Sequence, residues 1–241
     1  MAAGQDDLVT TPVTDAPPRQ IDTVIFDLGG VLMTNGRHSD FVRRYPPEHA
    51  DVALRLFMGE FGTDGDHPWH RLERGEITFA ECQALNREAF AAAGIPTPTR
   101  PADTAATSAP GETASQPRPL MTFSPNDAMF ALVRQLRAAG LRTGMLTNNI
   151  AEFRDAWRGL MSYDELFDDI VDSHEVGMRK PNPAIYELAL TRLSARAGRT
   201  AFLDDLPANV EAAARLGMHA IVVDEDSAPA IATVERLAGL T

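Results

Sequence analysis

The chain has little of two features that would place it outside the cell or in a membrane. Its 241 residues include a single cysteine, Cys82, so no intrachain disulfide can form, which favours a reducing, cytoplasmic compartment. No apolar run approaches the ~20 residues that a helix needs to cross a bilayer. Residues 1–20 lack the basic start and apolar stretch of a signal peptide. We therefore expect a cytoplasmic protein with no membrane partner.

Positive charge is also scarce. The chain has 34 acidic and 22 basic residues, a net charge of −12, which argues against the basic face that a nucleic-acid partner requires. Only one of the basic residues is a lysine, Lys180, and all the others are arginines. A planar guanidinium cannot replace a compact ammonium in a narrow anion site. The lone lysine is therefore a candidate functional residue.

Two stretches have few side chains that could build a core. Residues 1–20 and 95–119 are dominated by Pro, Thr, Ala and other small or polar residues, which predicts a disordered tail and a flexible insert. Helical signals occupy 37–94 and predict a small second unit. The segments 21–36 and 120–241 form the predicted α/β core.

In that core, short apolar runs alternate with helical patterns. Strands are predicted at 23–26, 143–146, 170–173, 201–203 and 220–223. Such alternation is typical of a Rossmann-like parallel sheet with helices on both faces. Ligands of these sheets bind at the carboxyl ends of the strands.

Polar residues follow three of the predicted strands, at the edge where ligands are expected. They are Asp27, Thr147–Asn148 and Asp204–Asp205, and Lys180 lies in a loop at the same edge. Clustered carboxylates repel one another unless a cation joins them, and oxygen ligands of this kind suit Mg²⁺ together with phosphate oxygens. We therefore expect a functional site here.

Four segments in this order carry a resemblance to a known family. They are Phe-Asp-Leu-Gly-Gly-Val-Leu at 26–32, Leu-Thr-Asn at 146–148, Lys-Pro at 180–181 and Phe-Leu-Asp-Asp at 202–205. They resemble the ordered motifs of the haloacid dehalogenase-like (HAD) hydrolase superfamily. The similarity is greatest to its phosphatase branch with a small α-helical cap, which includes epoxide hydrolase phosphatase domains and sugar-1-phosphate phosphatases.

The resemblance implies a role for each matching residue. Asp27 would be the nucleophile that forms an aspartyl-phosphate, which water then hydrolyses. Thr147 and Asn148 would bind the phosphoryl oxygens, and Lys180 would neutralise Asp27 and the transferred group.

The resemblance also implies a Mg²⁺ site. Its ligands would be Asp27, the carbonyl of Gly29 and Asp205, with Asp204 as a second ligand or as the residue that orients bound water. One position departs from the family pattern, because Gly29 stands where these phosphatases usually have a second Asp that acts as general acid. General acid catalysis is worth roughly 10²–10⁴-fold.

Three functions are consistent with these residues. The leading prediction is a Mg²⁺-dependent phosphoric monoester hydrolase for a small phosphorylated metabolite, such as a sugar phosphate. The alternative is a catalytically impaired protein that binds a phosphate ligand or regulates, because Gly29 lacks the acid. The third is a dehalogenase of the same superfamily, although its chemistry needs neither a metal nor the adjacent Asp204 and Asp205. The sequence leaves the oligomeric state open.

The predicted cap contains a cluster of two histidines and a tryptophan. In one interpretation His67 or His70 reaches the leaving group of the substrate. In the other, Trp69 packs the cap onto the core and both histidines face solvent. His38, just after the first motif, is equally open.

Overall fold

A computed structural model describes residues 18–35, 45–96, 123–160 and 162–240. The strands are β1 (Thr23–Phe26), β2 (Met33–Asn35), β3 (Phe123–Pro125), β4 (Arg142–Thr147), β5 (Asp169–Asp172), β6 (Thr200–Asp204) and β7 (His219–Val222). The helices are α1 (Pro47–Met58), α2 (Pro68–Glu73), α3 (Phe79–Ala92), α4 (Asp127–Ala138), α5 (Arg154–Arg158), α6 (Tyr163–Leu166), α7 (Ser173–Val176), α8 (Pro183–Arg192), α9 (Pro207–Arg215) and α10 (Ala228–Ala238). Short 3₁₀ turns lie at Ala151–Phe153 and Ala197–Arg199.

Five strands form one parallel sheet in the order β5-β4-β1-β6-β7. The strand that precedes Asp27 is therefore the central one, with β4 and β6 on either side. All five predicted strands are present, and the predicted Rossmann-like α/β fold is confirmed. The sequence pattern missed the final helix, α10.

Two apolar layers cover the faces of this sheet because side chains alternate along each strand. On β1, Val24 and Phe26 pack into the layer formed with α4 and α10. Ile25 points the other way and packs into the layer formed with α8 and α9. The central strand is fully buried, as expected for a parallel strand with helices on both faces.

Helices α1 to α3 form the small helical cap. Helix α3 begins with a capping box, in which Thr78 accepts from the backbone N–H of Glu81 and the Glu81 side chain accepts from that of Thr78. The cap packs on the core through an apolar cluster that joins Trp69 and Leu72 to Ile150. The predicted tail at 1–20 and insert at 95–119 lie mostly outside the described residues, as do His38 and the helical signal at 41–44.

The short strands β2 and β3 pair in antiparallel fashion. The chain therefore leaves the core after β2 and returns to it at β3, and these two strands lie next to each other. Within the described residues, none of the helices combines the length and apolar character that a membrane span requires.

Candidate active site

The carboxyl ends of the three central strands gather the predicted site residues. Asp27 follows β1, Thr147 ends β4 and Asp204 ends β6, and all three side chains are buried. Asp205 follows on the same edge and is half-buried. These strands are neighbours in the sheet, so the structure brings these residues together at one edge.

Lys180 lies at the centre of this edge. Its Nζ is 2.9 Å from Oδ1 of Asp27 and 2.6 Å from Oδ2 of Asp204, and it donates to the carbonyl of Leu146 at 3.0 Å. These three acceptors match the three hydrogens of an ammonium group. The side chain is only 1 % exposed, so the charge is held by these partners and not by water.

The two carboxylates keep this lysine charged. Burial by itself would lower the pKa of Lys180, but attraction to Asp204 and Asp27 and the hydrogen bonds to both outweigh burial and raise it above its ordinary value. Burial raises the pKa of Asp204, and the neighbouring ammonium opposes that rise. The site therefore holds a permanent positive charge next to the Asp27 carboxylate.

The Asp204 carboxylate is itself held on both oxygens. Oδ1 accepts from the backbone N–H of Leu206 at 2.9 Å and from Nδ2 of Asn209 at 3.0 Å. Oδ2 accepts from Lys180 and from Asn209. Sequence reasoning missed Asn209, whose signal is a polar residue on the buried side of a helix that directly follows the Asp-Asp pair.

The Asn148 side chain fixes the main chain of the lysine. Its Nδ2 donates to the carbonyl of Lys180 at 3.0 Å, and its Oδ1 accepts from the N–H of Lys180 at 2.8 Å. The N–H and the carbonyl of Lys180 are thus both hydrogen-bonded to the side-chain amide of Asn148. The structure places Asn148 beside the lysine, with its side chain directed to that backbone.

Three carboxylates could hold a metal ion. One carboxylate oxygen each from Asp27, Asp204 and Asp205 lie within 4.8 Å of one another. Hard oxygen donors of this kind fit Mg²⁺. The turn at Gly29 and Gly30 closes on this cluster, and Gly30 has φ of +83°. A Cβ at Gly30 would overlap the Asp205 carboxylate, so only glycine permits this approach.

Both cap histidines accept backbone hydrogen bonds near the start of α2. Nδ1 of His67 accepts from the backbone N–H of Trp69, and Nδ1 of His70 accepts from that of Gly65. Trp69 is buried, as one interpretation expected, but His70 is buried too and does not face solvent. Burial, with Arg179 and His67 adding to it, lowers the pKa of His70 to about 4, so the ring is neutral at pH 7.

Taken with this fold and site, a match to a family model identifies the class of the protein. Residues 21–217 match the model described as haloacid dehalogenase-like hydrolase. The chain therefore belongs to this family of hydrolases, and the resemblance seen in the sequence is confirmed.

The chain is also similar in sequence to several curated proteins. The chain is 32% identical over 231 residues to acyl-CoA dehydrogenase family member 10 of Mus musculus, and 30% identical over 227 residues to bifunctional epoxide hydrolase 2 of Rattus norvegicus. These matches cover 94% and 89% of this chain but only 20% and 38% of the two relatives. It is also 30% identical to sesquiterpene phosphatase astK of Aspergillus oryzae, covering 80% of this chain and 85% of that one.

A solved structure shares the fold. A HAD-family enzyme of Bacteroides thetaiotaomicron, crystallised with magnesium and inorganic phosphate, superposes with a TM-score of 0.58 at 20% identity. The match covers 86% of this chain and 96% of that one. At this identity the match shows a common fold.

Proposed function

We propose that the protein is a Mg²⁺-dependent phosphatase that hydrolyses a phosphate monoester of a small metabolite, with Asp27 as the nucleophile. The observation that carries this proposal is the buried Lys180 ammonium between Asp27 and Asp204, beside the carboxylates that suit a divalent cation. A relative named as a phosphatase that matches over most of its length supports it. So does the shared fold with an enzyme crystallised with magnesium and phosphate.

In the first step, a carboxylate oxygen of Asp27 attacks the phosphorus atom and the ester P–O bond breaks, with its electron pair going to the leaving oxygen. That oxygen leaves as the anion or takes a proton from water. Oδ1 of Asp27 is held by Lys180 and by the N–H of Leu28 at 2.7 Å, which orients the carboxylate for attack. The ammonium offsets the charge of the carboxylate and of the incoming phosphoryl group. The Thr147 hydroxyl donates to a phosphoryl oxygen. In the second step, water hydrolyses the aspartyl-phosphate, which releases phosphate and restores Asp27.

The metal site would use Asp27, the carbonyl of Gly29 and Asp205. When bound, Mg²⁺ would neutralise charge on the phosphoryl group and orient it. We assign Asp204 mainly to Lys180, because both of its oxygens already accept hydrogen bonds within the protein. The Asn148 side chain likewise acts through the lysine, by holding its main chain.

Gly29 restricts the leaving groups that this site can expel. Without the usual carboxylic acid at this position, a leaving group that needs little protonation is favoured, as in an anomeric sugar phosphate or an acyl phosphate. A primary alkyl phosphate would need water or a cap residue as the proton donor. We therefore expect higher kcat/KM for sugar 1-phosphates than for matched sugar 6-phosphates.

The same glycine supports a second candidate function, a protein that binds a phosphate ligand but has little turnover. Hydrolysis of 4-nitrophenyl phosphate and a panel of sugar 1-phosphates, with and without Mg²⁺, separates the two. The phosphatase is supported if turnover requires Mg²⁺, is abolished by Asp27→Asn and is unchanged in Asp155→Asn, a matched control whose side chain is 98 % exposed. Binding of phosphate without turnover of any ester would favour the second function.

A further inference from the structure

A buried ion pair joins the cap to the residue before the catalytic lysine. Nε of Arg179 donates to Oε2 of Glu73 at 2.7 Å, although the two residues are 106 positions apart. Their side chains are only 4 % and 10 % exposed. The other oxygen of Glu73 accepts from Nε1 of Trp69 at 2.9 Å, and the Arg179 guanidinium also donates to the carbonyl of Thr63. The pair is thus enclosed and hydrogen-bonded on both sides.

A second cap contact lies just beyond the lysine. Nδ2 of Asn182 donates to Oδ2 of Asp64 at 3.0 Å. The main chain of Lys180, between these two contacts, is paired on the core side with Asn148. The short segment that carries the only lysine is therefore held by the cap through residues 179 and 182, and by the core through Asn148.

From this arrangement we propose that Arg179 and Glu73 are positioning residues for Lys180, so that the ammonium reaches Asp27 only while the cap is seated. Arg179 and Lys180 are adjacent, so a shift of the arginine side chain toward solvent moves the peptide group they share. Misplacement of a catalytic group by about 1 Å can cost roughly 10²-fold in rate. The inference rests on the proposed function for its effect on turnover, but not for the placement of the lysine.

The single lysine gives a direct measurement of that placement. A chain labelled with [¹³C,¹⁵N]-lysine, with no lysine in any tag, shows one lysine ¹³Cε signal, that of Lys180. The test variants are Glu73→Gln, which keeps the volume but presents an amide donor to Arg179 or Trp69, and Arg179→Met, which removes the guanidinium. Glu152→Gln is the matched control, because Glu152 makes a different cap–core contact, accepting from the N–H of Phe79 at 2.9 Å.

The two test variants should move the ¹³Cε signal of Lys180, and the control should leave it in place. For 4-nitrophenyl phosphate, a small substrate, kcat should fall by roughly tenfold to a hundredfold while KM changes little. A purely structural ion pair would lower the melting temperature without changing the lysine signal or the kcat of the folded enzyme. That result would overturn the inference.

Failure of the inference and failure of the proposed function give different results. If the wild-type chain hydrolyses no phosphate ester, the proposed function fails, and the ¹³Cε signal alone decides whether the pair positions the lysine. If wild-type turnover is present but both variants keep the signal and a kcat within about twofold, the positioning role is wrong. If Arg179→Met does not fold, Glu73→Gln decides, since it preserves the size of the side chain and one of its two acceptor positions.

Discussion

Replacing the lysine by methionine tests how far the buried carboxylates depend on it. Lys180→Met keeps most of the side-chain volume but leaves Asp27 and Asp204, which are 8% and 0% exposed, without their shared cation. Removing one partner of a buried ion pair typically costs about 3–5 kcal/mol. Because the lysine here has two carboxylate partners, we expect a loss of free energy of unfolding toward the upper part of that range at neutral pH.

The sign of the pH dependence follows from Asp204. Without the ammonium, nothing opposes the rise in its pKa that burial causes, so in the folded variant that pKa lies above the unfolded value of about 3.9. A group with a raised folded pKa stabilises the fold below its unfolded pKa and loses that contribution as the pH rises. The difference in stability between wild type and variant should therefore be large near pH 7 and shrink as the pH falls toward about 4.

Urea unfolding followed by circular dichroism at several pH values measures this difference. Arg154→Met is the matched control, since Arg154 lies 2.6 Å from Glu175 but these side chains are 44 % and 32 % exposed. An exposed pair of this kind is worth about 0–1 kcal/mol. The reasoning is refuted if Lys180→Met loses no more stability than the control, or if its deficit is the same at every pH.

Two further predictions concern the glycine turn and the cap. Gly30→Ala should weaken Mg²⁺ binding measured by calorimetry, because its Cβ would overlap Asp205. The control Gly140→Ala has a similar φ of +78° but open space around it, so it should lose stability and keep its Mg²⁺ affinity. Equal Mg²⁺ affinity in the two variants would contradict this prediction. His70, with its pKa lowered to about 4, should make the fold lose roughly 2–3 kcal/mol as the pH falls from about 6.5 toward 4. His70→Gln should flatten that slope in acid-unfolding curves, and an unchanged slope would show that the ring does not cause it.

The position of the site could be predicted from sequence because it depends on local pattern. An apolar run that ends in Asp27, Thr147 or Asp204 identifies a buried strand and the residue at its carboxyl end. Parallel strands place those ends at one edge whatever the rest of the chain does. The lone lysine added a residue whose type, and not only its place, indicated a role.

The partners of those residues could not be predicted in the same way. Arg179 is one of many arginines, and its buried partner, Glu73, lies in the cap, far away in sequence. Asn209 lies on a helix, and only the fold shows that its side chain supports Asp204. Although one interpretation of the sequence expected His70 to face solvent, packing of the cap buries it. Such pairings depend on tertiary contacts, which no local periodicity encodes.

The side-by-side pairing of β2 with β3 has a consequence for how this protein could be recombined with its relatives. Because the chain leaves and rejoins the core at adjacent strands, the whole cap could be exchanged for another without moving the ends that the core presents. Such an exchange would preserve the covalent connection between cap and core, but not the side-chain contacts between them. A transplanted cap without an acid at the position of Glu73 would leave Arg179 as an uncompensated buried charge. A functional chimera must therefore have an acidic residue at that position or a neutral residue in place of Arg179.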